Sequence, residues 1–395
     1  MKRAAHRTVA ILCCLAVLAG PLSGTATAAP PRWERIEAAL DAAVAAGVPG
    51  VLAVTHGAAG SRGGASGVHD VRTGRPPRTE GLFRIGSVTK TFTAALVLRL
   101  VDEGRIGLDD DVRDHLPGLL PYREKITVRQ LLQHTSGLPR DLPDELTWTS
   151  LPEIDRERFE HFTPARVVRV STERPLRFAP GTSWAYSNVG YSVLALLVER
   201  VTGQRMEHAL RDRVLRPLGL RRTVVPRDFP FVPGAALRGY ERLYDPPRPL
   251  TDVTTYNHSR YFGSGSMLST AKDVNRFFAA LLGGDLLSAE MLAQMRRTVP
   301  ARTPDGEYAG FDYGLGLARM PLDPLCPGGP VVWGHDGSLP GFGVWSMHTA
   351  DGGTGITSVA GRKFTVPAYA DITVMTSAFC APAPSAPAAA GPSRS

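Results

Sequence analysis

The chain has 395 residues, 43% hydrophobic and 21% charged, with a formal charge of +8. This composition excludes a disordered or fibrous protein, and the 41 Gly and 33 Pro follow no G-X-Y period, which excludes collagen. No apolar run reaches the length of a membrane span, and no Lys/Arg block or nucleic-acid motif accompanies the positive charge.

The first 28 residues read as a secretory signal peptide. Lys2, Arg3 and Arg7 precede the apolar run Thr8–Leu22, and Ala26-Thr27-Ala28 offers small residues for cleavage after Ala28. Removal takes Cys13 and Cys14 away and lowers the charge to +5. Cys326 and Cys380 are then left in an oxidising space, so a disulfide between them is expected. It would contribute about 4 kcal/mol in the chain-entropy picture. The alternative is two separately buried thiols. Ala, Pro, Ser and Gly dominate Ala381–Ser395, which is expected to be a disordered tail without a hydrophobic anchor. The mature protein is therefore expected to be secreted and not held in a membrane.

Between these ends, Trp33–Ala46 has helical periodicity and Gly47 as a stop. Val51–His56 and a segment near Gly67–Val71 read as strands. After the short apolar segment Leu82–Ile85, a long helix is predicted from about Ser87 to Glu103, closed by Gly104. Helical patterns dominate from Leu108 to Phe262. They include Ile126–His134, ended by Ser136-Gly137, and Val189–Thr202, ended by Gly203; acidic Leu138–Glu160 reads as a surface excursion. Another helix is expected over Ala271–Leu282, antiparallel strands over Val331–Ala360, and a closing helix or strand over Ala370–Phe379. Strands near both ends with helices between them predict an α/β unit, in the α+β sense of an antiparallel sheet flanked by helices. Its parts are 29–86 and 267–380, with a mostly helical region inserted over 87–266.

The chain lacks H-E-x-x-H, C-x-x-C, an EF-hand pattern, a P-loop and a Gly-x-Ser-x-Gly elbow, so no metal or cofactor is expected. Ser-x-x-Lys occurs twice. In Ser269-Thr270-Ala271-Lys272, Thr270 and Asp273 form a cap-like start and Lys272 can reach water, which is a structural arrangement. Ser87-Val88-Thr89-Lys90 instead runs into Thr91–Leu98 without a charge. A helix apolar on nearly every face is buried, and Lys90 lies one turn from Ser87 on the same side. A desolvated amine beside a hydroxyl can accept its proton, and the helix N-terminus favours developing negative charge. The bland alternative is an N-capping Ser87 with a snorkelling Lys90.

Phe83-Arg84-Ile85-Gly86-Ser87-Val88-Thr89-Lys90 resembles the nucleophile segment of serine β-lactamases and penicillin-binding proteins, in particular the class C-like group. Leu131–Leu138, Phe178–Gly181 with Tyr186-Ser187-Asn188, and Trp333-Gly334-His335-Asp336-Gly337 follow in that group's order. The resemblance spans about Trp33 to Cys380. It implies an acyl-enzyme on Ser87, with Lys90 as base or electrostatic activator and Tyr186 sharing proton transfer. It further implies that Asn188 orients Lys90 and a substrate carbonyl, that His335 sits on an edge strand beside the cleft, and that Gly337 completes the third motif. The backbone N–H groups of Ser87 and Ser338 would bind the oxyanion. Asp336 departs from the usual Thr or Ser, whose hydroxyl helps bind a substrate carboxylate. The family's substrates imply a D-alanyl-D-alanine carboxypeptidase-like hydrolase of cell-wall peptides, with β-lactams as slow inhibitors. An esterase, D-aminopeptidase or β-lactamase is the nearest alternative, and a binder that acylates without turnover is another.

Overall fold

The computed structural model describes residues 31–143, 150–245, 248–367 and 369–380. The leader and the tail expected from the sequence lie outside these residues. The helices are α1 (Arg32–Ala45), α2 (Thr89–Asp102), α3 (Val112–His115), α4 (Val128–Gln133), α5 (Leu151–Glu157), α6 (Pro164–Thr172), α7 (Asn188–Thr202), α8 (Met206–Leu210), α9 (Ala271–Gly283), α10 (Ala289–Met295) and α11 (Tyr369–Thr376). The strands are β1 (Gly50–Gly57), β2 (Gly60–Gly67), β3 (Phe83–Arg84), β4 (Tyr240–Glu241), β5 (Thr251–Asp252), β6 (Leu268–Ser269), β7 (Val299–Arg302), β8 (Tyr308–Tyr313), β9 (Ala318–Pro321), β10 (Val331–Leu339), β11 (Phe342–His348) and β12 (Gly355–Ala360).

Both ends of the chain build one eight-stranded antiparallel sheet, in the order β2-β1-β12-β11-β10-β9-β8-β7. Strand side chains alternate between faces. In β1, Val51 and Ala53 join the layer of α1 and α11, with Ile36, Leu40 and Val374, whereas Leu52 and Val54 join the larger core with Phe277 and Phe278 of α9. The central strand β12 is buried along its whole length, with polar Thr357 and Ser358 enclosed beside Ile356 and Val359. The Cys326–Cys380 disulfide is formed, with Cα atoms 5.8 Å apart, and ties the segment after β9 to the residues following α11.

Three local differences from the sequence reading have physical causes. The second strand is Gly60–Gly67 and not the segment near Gly67–Val71. It is an edge strand with an exposed surface, so it needs no apolar alternation. It carries Gly where α1 packs closely, since a Cβ on Gly64 would lie 2.7 Å from the Trp33 ring. The α4 helix stops before Ser136, because His134 itself takes the left-handed conformation at φ 64°. Finally, α7 starts at Asn188, one residue before the predicted Val189, because Ser187 caps it: the Ser187 side chain accepts the Gly190 N–H, which leaves the Asn188 amide to other partners.

The α2 helix is the pivot of the interior. Residues Thr89 to Leu98 are all buried, and Phe92 stacks on Phe277 of α9 at 3.7 Å between centroids. The interior also holds neutral histidines. His348 Nδ1 sits 3.0 Å from His56 Nε2 and its Nε2 lies 2.9 Å from Ser346 Oγ; Ser346 in turn reaches Thr357, which donates to Asn275 of α9. Burial holds His348 well below the usual imidazole value, and it does the same for His134 and His258.

Because these groups stay neutral in the fold but titrate near 6.5 when unfolded, their contribution is complete above about pH 6.5 and is lost as the pH falls. Each can contribute a slope of about 1.4 kcal/mol per pH unit. Urea denaturation is expected to show stability declining from pH 7 to 5.5, and His348→Gln is expected to flatten that decline. Stability that is constant or rising over this interval would contradict the assignment.

Candidate active site

The nucleophile segment begins at β3, which pairs with β6. Arg84 anchors it from inside: its guanidinium donates to the carbonyls of Pro230, Thr254 and Tyr256 and lies 4.0 Å from the Tyr256 ring centroid. Gly86, at φ 52°, turns the chain into a 3-10 turn over Gly86–Val88 that leads directly into α2. Ser87 therefore stands at the head of a buried helix, on the floor of a cleft.

One turn later, Lys90 is fully buried. Its Nζ lies 2.6 Å from Asn188 Oδ1, 2.8 Å from the Ser264 carbonyl oxygen and 3.2 Å from Ser87 Oγ. The Asn188 amide cannot flip without loss, because its Nδ2 donates to Asp141 Oδ1 at 2.6 Å. Asn188 Oδ1 and the Ser264 carbonyl can only accept. A neutral amine has two hydrogens and one lone pair: the hydrogens meet these two acceptors, and the lone pair is left facing the Ser87 hydroxyl. Burial pushes the Lys90 amine well below its ordinary value, an effect that Asp141 and Asp336 partly oppose.

Tyr186 shifts the other way. It lines the cleft with Ser87, and its ring centroid lies 4.6 Å from Lys90 Nζ. Burial, and then the Asp336 carboxylate, push the phenol well above its ordinary value, so it stays protonated. The pair is thus an amine that gives up its proton easily beside a phenol that does not. Of the two candidates that the sequence leaves open as base, the electrostatics favour Lys90.

The third motif lies on β10. This strand is interior to the sheet and not an edge, because β9 pairs with it over Val331–Gly334. The β9 pairing stops there, so His335–Leu339 has β11 on one side only. His335 is 2% exposed and does not line the cleft. Its Nδ1 donates to the Asp336 carbonyl oxygen at 2.6 Å, and its Nε2 accepts from the Tyr313 hydroxyl at 2.9 Å. Both ring nitrogens are occupied within the protein, and burial holds the ring below its usual pKa. Asp336, half exposed, and Ser338 alternate with His335 and Gly337, and both line the cleft. Gly337 is a contact requirement: a Cβ there would lie 2.2 Å from the Ile85 carbonyl oxygen and 3.2 Å from the Ser87 nitrogen. The backbones of the nucleophile turn and of β10 touch, which brings the backbone nitrogens of Ser87 and Ser338 close together beside the cleft that both residues line. Two such donors can bind an oxyanion.

The cleft has two lobes, of about 580 and 400 Å³, that meet at Ser87, Arg140, Asn188 and Ser338. The larger holds Tyr186, Trp184, Phe311, Asp336, Arg177 and Arg302; the smaller holds Leu151, Ile154, Leu339, Pro340 and Phe364. Sequence reasoning missed Asp141, Ser264 and Tyr313, which position the site. Asp141 lies in the stretch read as a surface excursion, and Ser264 acts through its carbonyl, which no side-chain pattern reveals. The second Ser-x-x-Lys is structural in the fold: Thr270 caps α9 by accepting the Asp273 N–H, and Lys272 is exposed.

This combination of sheet, buried Ser-x-x-Lys and Tyr-x-Asn defines a serine hydrolase fold. The sequence profile of the beta-lactamase family matches residues 33–376, and the chain belongs to that family. Penicillin-binding protein 4 of Amycolatopsis lactamdurans is 33% identical over 312 residues, 73% of this chain and 77% of that one. Esterase EstB of Burkholderia gladioli is 32% identical over 305 residues, 71% of this chain and 76% of that one. Among solved structures, a D-stereospecific amidohydrolase from Streptomyces sp. superposes with a TM-score of 0.79 at 34% identity, covering 89% of this chain and 99% of that one.

Gly337→Ala is expected to force β10 off the Ser87 turn and to slow covalent labelling of Ser87 by a fluorophosphonate at least ~10²-fold, since misplacement by about 1 Å is worth that much. Labelling at the unmodified rate would show that the contact does not set the site's geometry.

Proposed function

We propose that this chain is an exported acyl-enzyme hydrolase that opens amide and ester bonds of D-configured aminoacyl substrates. The Ser87 hydroxyl attacks the carbonyl carbon and passes its proton to the neutral Lys90 amine. The negative oxygen rests on the N–H groups of Ser87 and Ser338. As the intermediate collapses, the leaving nitrogen or oxygen takes the Tyr186 proton, and the Lys90 ammonium reprotonates the phenolate. Water then attacks the ester on Ser87; its proton goes to Lys90, and the acid leaves as the Ser87 hydroxyl is restored.

The substrate class rests on Asp336. Its carboxylate lines the same lobe as Tyr186, the proton donor to the leaving group. A leaving group with a free carboxylate beside the cleaved bond would meet like charge there. A neutral amide, an ester alcohol or an amine would not. The D-configuration is supported by the likeness to the Streptomyces amidohydrolase. A second reading, the D-alanyl-D-alanine carboxypeptidase, is favoured by Arg177 and Arg302, which line the same lobe and can neutralise a carboxylate. Export is supported by the Cys326–Cys380 disulfide, a bond that persists in oxidising compartments.

Activity is to be compared on a D-aminoacyl p-nitroanilide, a short-chain ester, a D-Ala-D-Ala peptide and a chromogenic cephalosporin. We expect the anilide and ester to turn over at least tenfold faster than the peptide, and Ser87→Ala to abolish all turnover. Asp336→Thr is expected to raise the peptide rate selectively. A peptide turned over fastest by the unmodified chain would favour the carboxypeptidase. A single stoichiometric burst on every substrate would make the protein a binder, and turnover surviving Ser87→Ala would remove Ser87 from the mechanism.

A further inference from the structure

Tyr186 and Asn188 do not lie within a regular element that could hold both side chains. Tyr186 precedes α7, and Asn188 is its first residue. Their placement comes from the segment that follows α4. Ala185 N–H donates to the His134 carbonyl oxygen at 2.9 Å, Ser187 N–H to His134 Nδ1 at 3.1 Å, and Asn188 N–H to the Arg140 carbonyl oxygen at 2.7 Å. One residue, His134, thus grips the chain on both sides of Tyr186, once through its backbone and once through its ring.

The ring is built into the site. It is fully buried, and its centroid lies 4.3 Å from that of Tyr186, 4.8 Å from Tyr313, 5.3 Å from Tyr191 and 5.7 Å from Trp184. Its Nδ1 accepts a backbone N–H, so the ring proton must reside on Nε2. Nε2 has no hydrogen-bond partner among the described residues. A histidine in the left-handed conformation with one nitrogen unpaired is locally costly. Backbone closure of α4 alone would be served as well by Gly. What His adds is an acceptor held at the end of a flat, rigid ring that also packs on the Tyr186 face.

We infer that His134 is a positioning residue for the acyl-transfer reaction: its neutral imidazole fixes the Tyr186 hydroxyl over Ser87 by accepting the Ser187 N–H and packing against the phenol. The inference rests on the acyl-enzyme reading above. His134 does not itself line the cleft; it acts through Ala185, Tyr186 and Ser187, which it holds from behind.

The test compares two substitutions of nearly equal shape. His134→Asn keeps an acceptor oxygen near the Nδ1 position and tolerates the left-handed backbone, whereas His134→Leu keeps the bulk and loses the acceptor. With the preferred substrate of the unmodified chain, His134→Leu is expected to lower kcat at least tenfold with KM within threefold, and His134→Asn to recover kcat to within threefold of the original. A role confined to stability would lower the melting temperature and the active fraction without this split in the active fraction's kinetics. Leu as active as His, or Asn as impaired as Leu, overturns the inference. Should the Leu chain not fold, the unmodified protein decides. Histidine-selective ¹⁵N NMR at pH 7 is expected to show His134, identified by its absence in the Asn variant, as the Nε2–H tautomer with an unprotonated, hydrogen-bonded Nδ1. A protonated Nδ1 overturns the inference. Loss of turnover in Ser87→Ala with unaffected His134→Leu would dispose of the positioning role alone, while turnover surviving in Ser87→Ala would dispose of the reading beneath it.

Discussion

Everything in this site depends on one amine with no access to water. Placing an ammonium in an apolar interior is unfavourable unless its charge is matched, and Lys90 is surrounded chiefly by dipoles and not by anions. Asp141, the carboxylate bonded to its Asn188 partner, acts on it at one remove. The consequence is a base that is available near neutrality, pointed at a hydroxyl that would otherwise hold its proton. Asn188 and the Ser264 carbonyl saturate the two N–H bonds and leave a single direction for the lone pair. The chemistry follows from counting donors and acceptors around Nζ.

The fold serves this constraint by converging from far apart in sequence. The α2 helix carries Ser87 and Lys90 through the centre of the core, where rigid packing fixes their spacing. The α7 cap delivers Tyr186 and Asn188, and β10 closes the far wall with a glycine small enough for backbone-to-backbone contact. The sheet that holds β10 needs both chain ends, with β1 and β2 from one and β7 to β12 from the other. Functional geometry is therefore tied to global folding, and the disulfide fastens the residues after α11, a helix that packs on α1, to the segment after β9.

Much of this was legible in the sequence for identifiable reasons. The uncharged run Thr91–Leu98 announces a buried helix, and it makes Lys90 unusual where Lys272, in a polar first turn, is ordinary. The helices over α1, α7 and α9 follow from apolar periodicity and Gly or Thr ends. Less legible were features set by tertiary contact. A strand made of Gly60–Gly67 has no apolar pattern because its neighbours supply the packing. The left-handed turn at His134 is chosen by what the ring and carbonyl bind. Asp141 and Ser264 enter the site through partners more than 40 residues away in the chain. The orientation of Asp336, undetermined from spacing, follows from the register of β10 with β11, which places it on the cleft side with Ser338.

The central claim is that Lys90 is held neutral in the resting protein. Selective ¹³C labelling at lysine Cε, with Lys90 assigned by its loss in Lys90→Arg, would follow its titration directly by NMR. The account predicts a transition well below the ordinary lysine value of about 10.4. A Lys90 resonance that titrates at the ordinary lysine value would contradict the account.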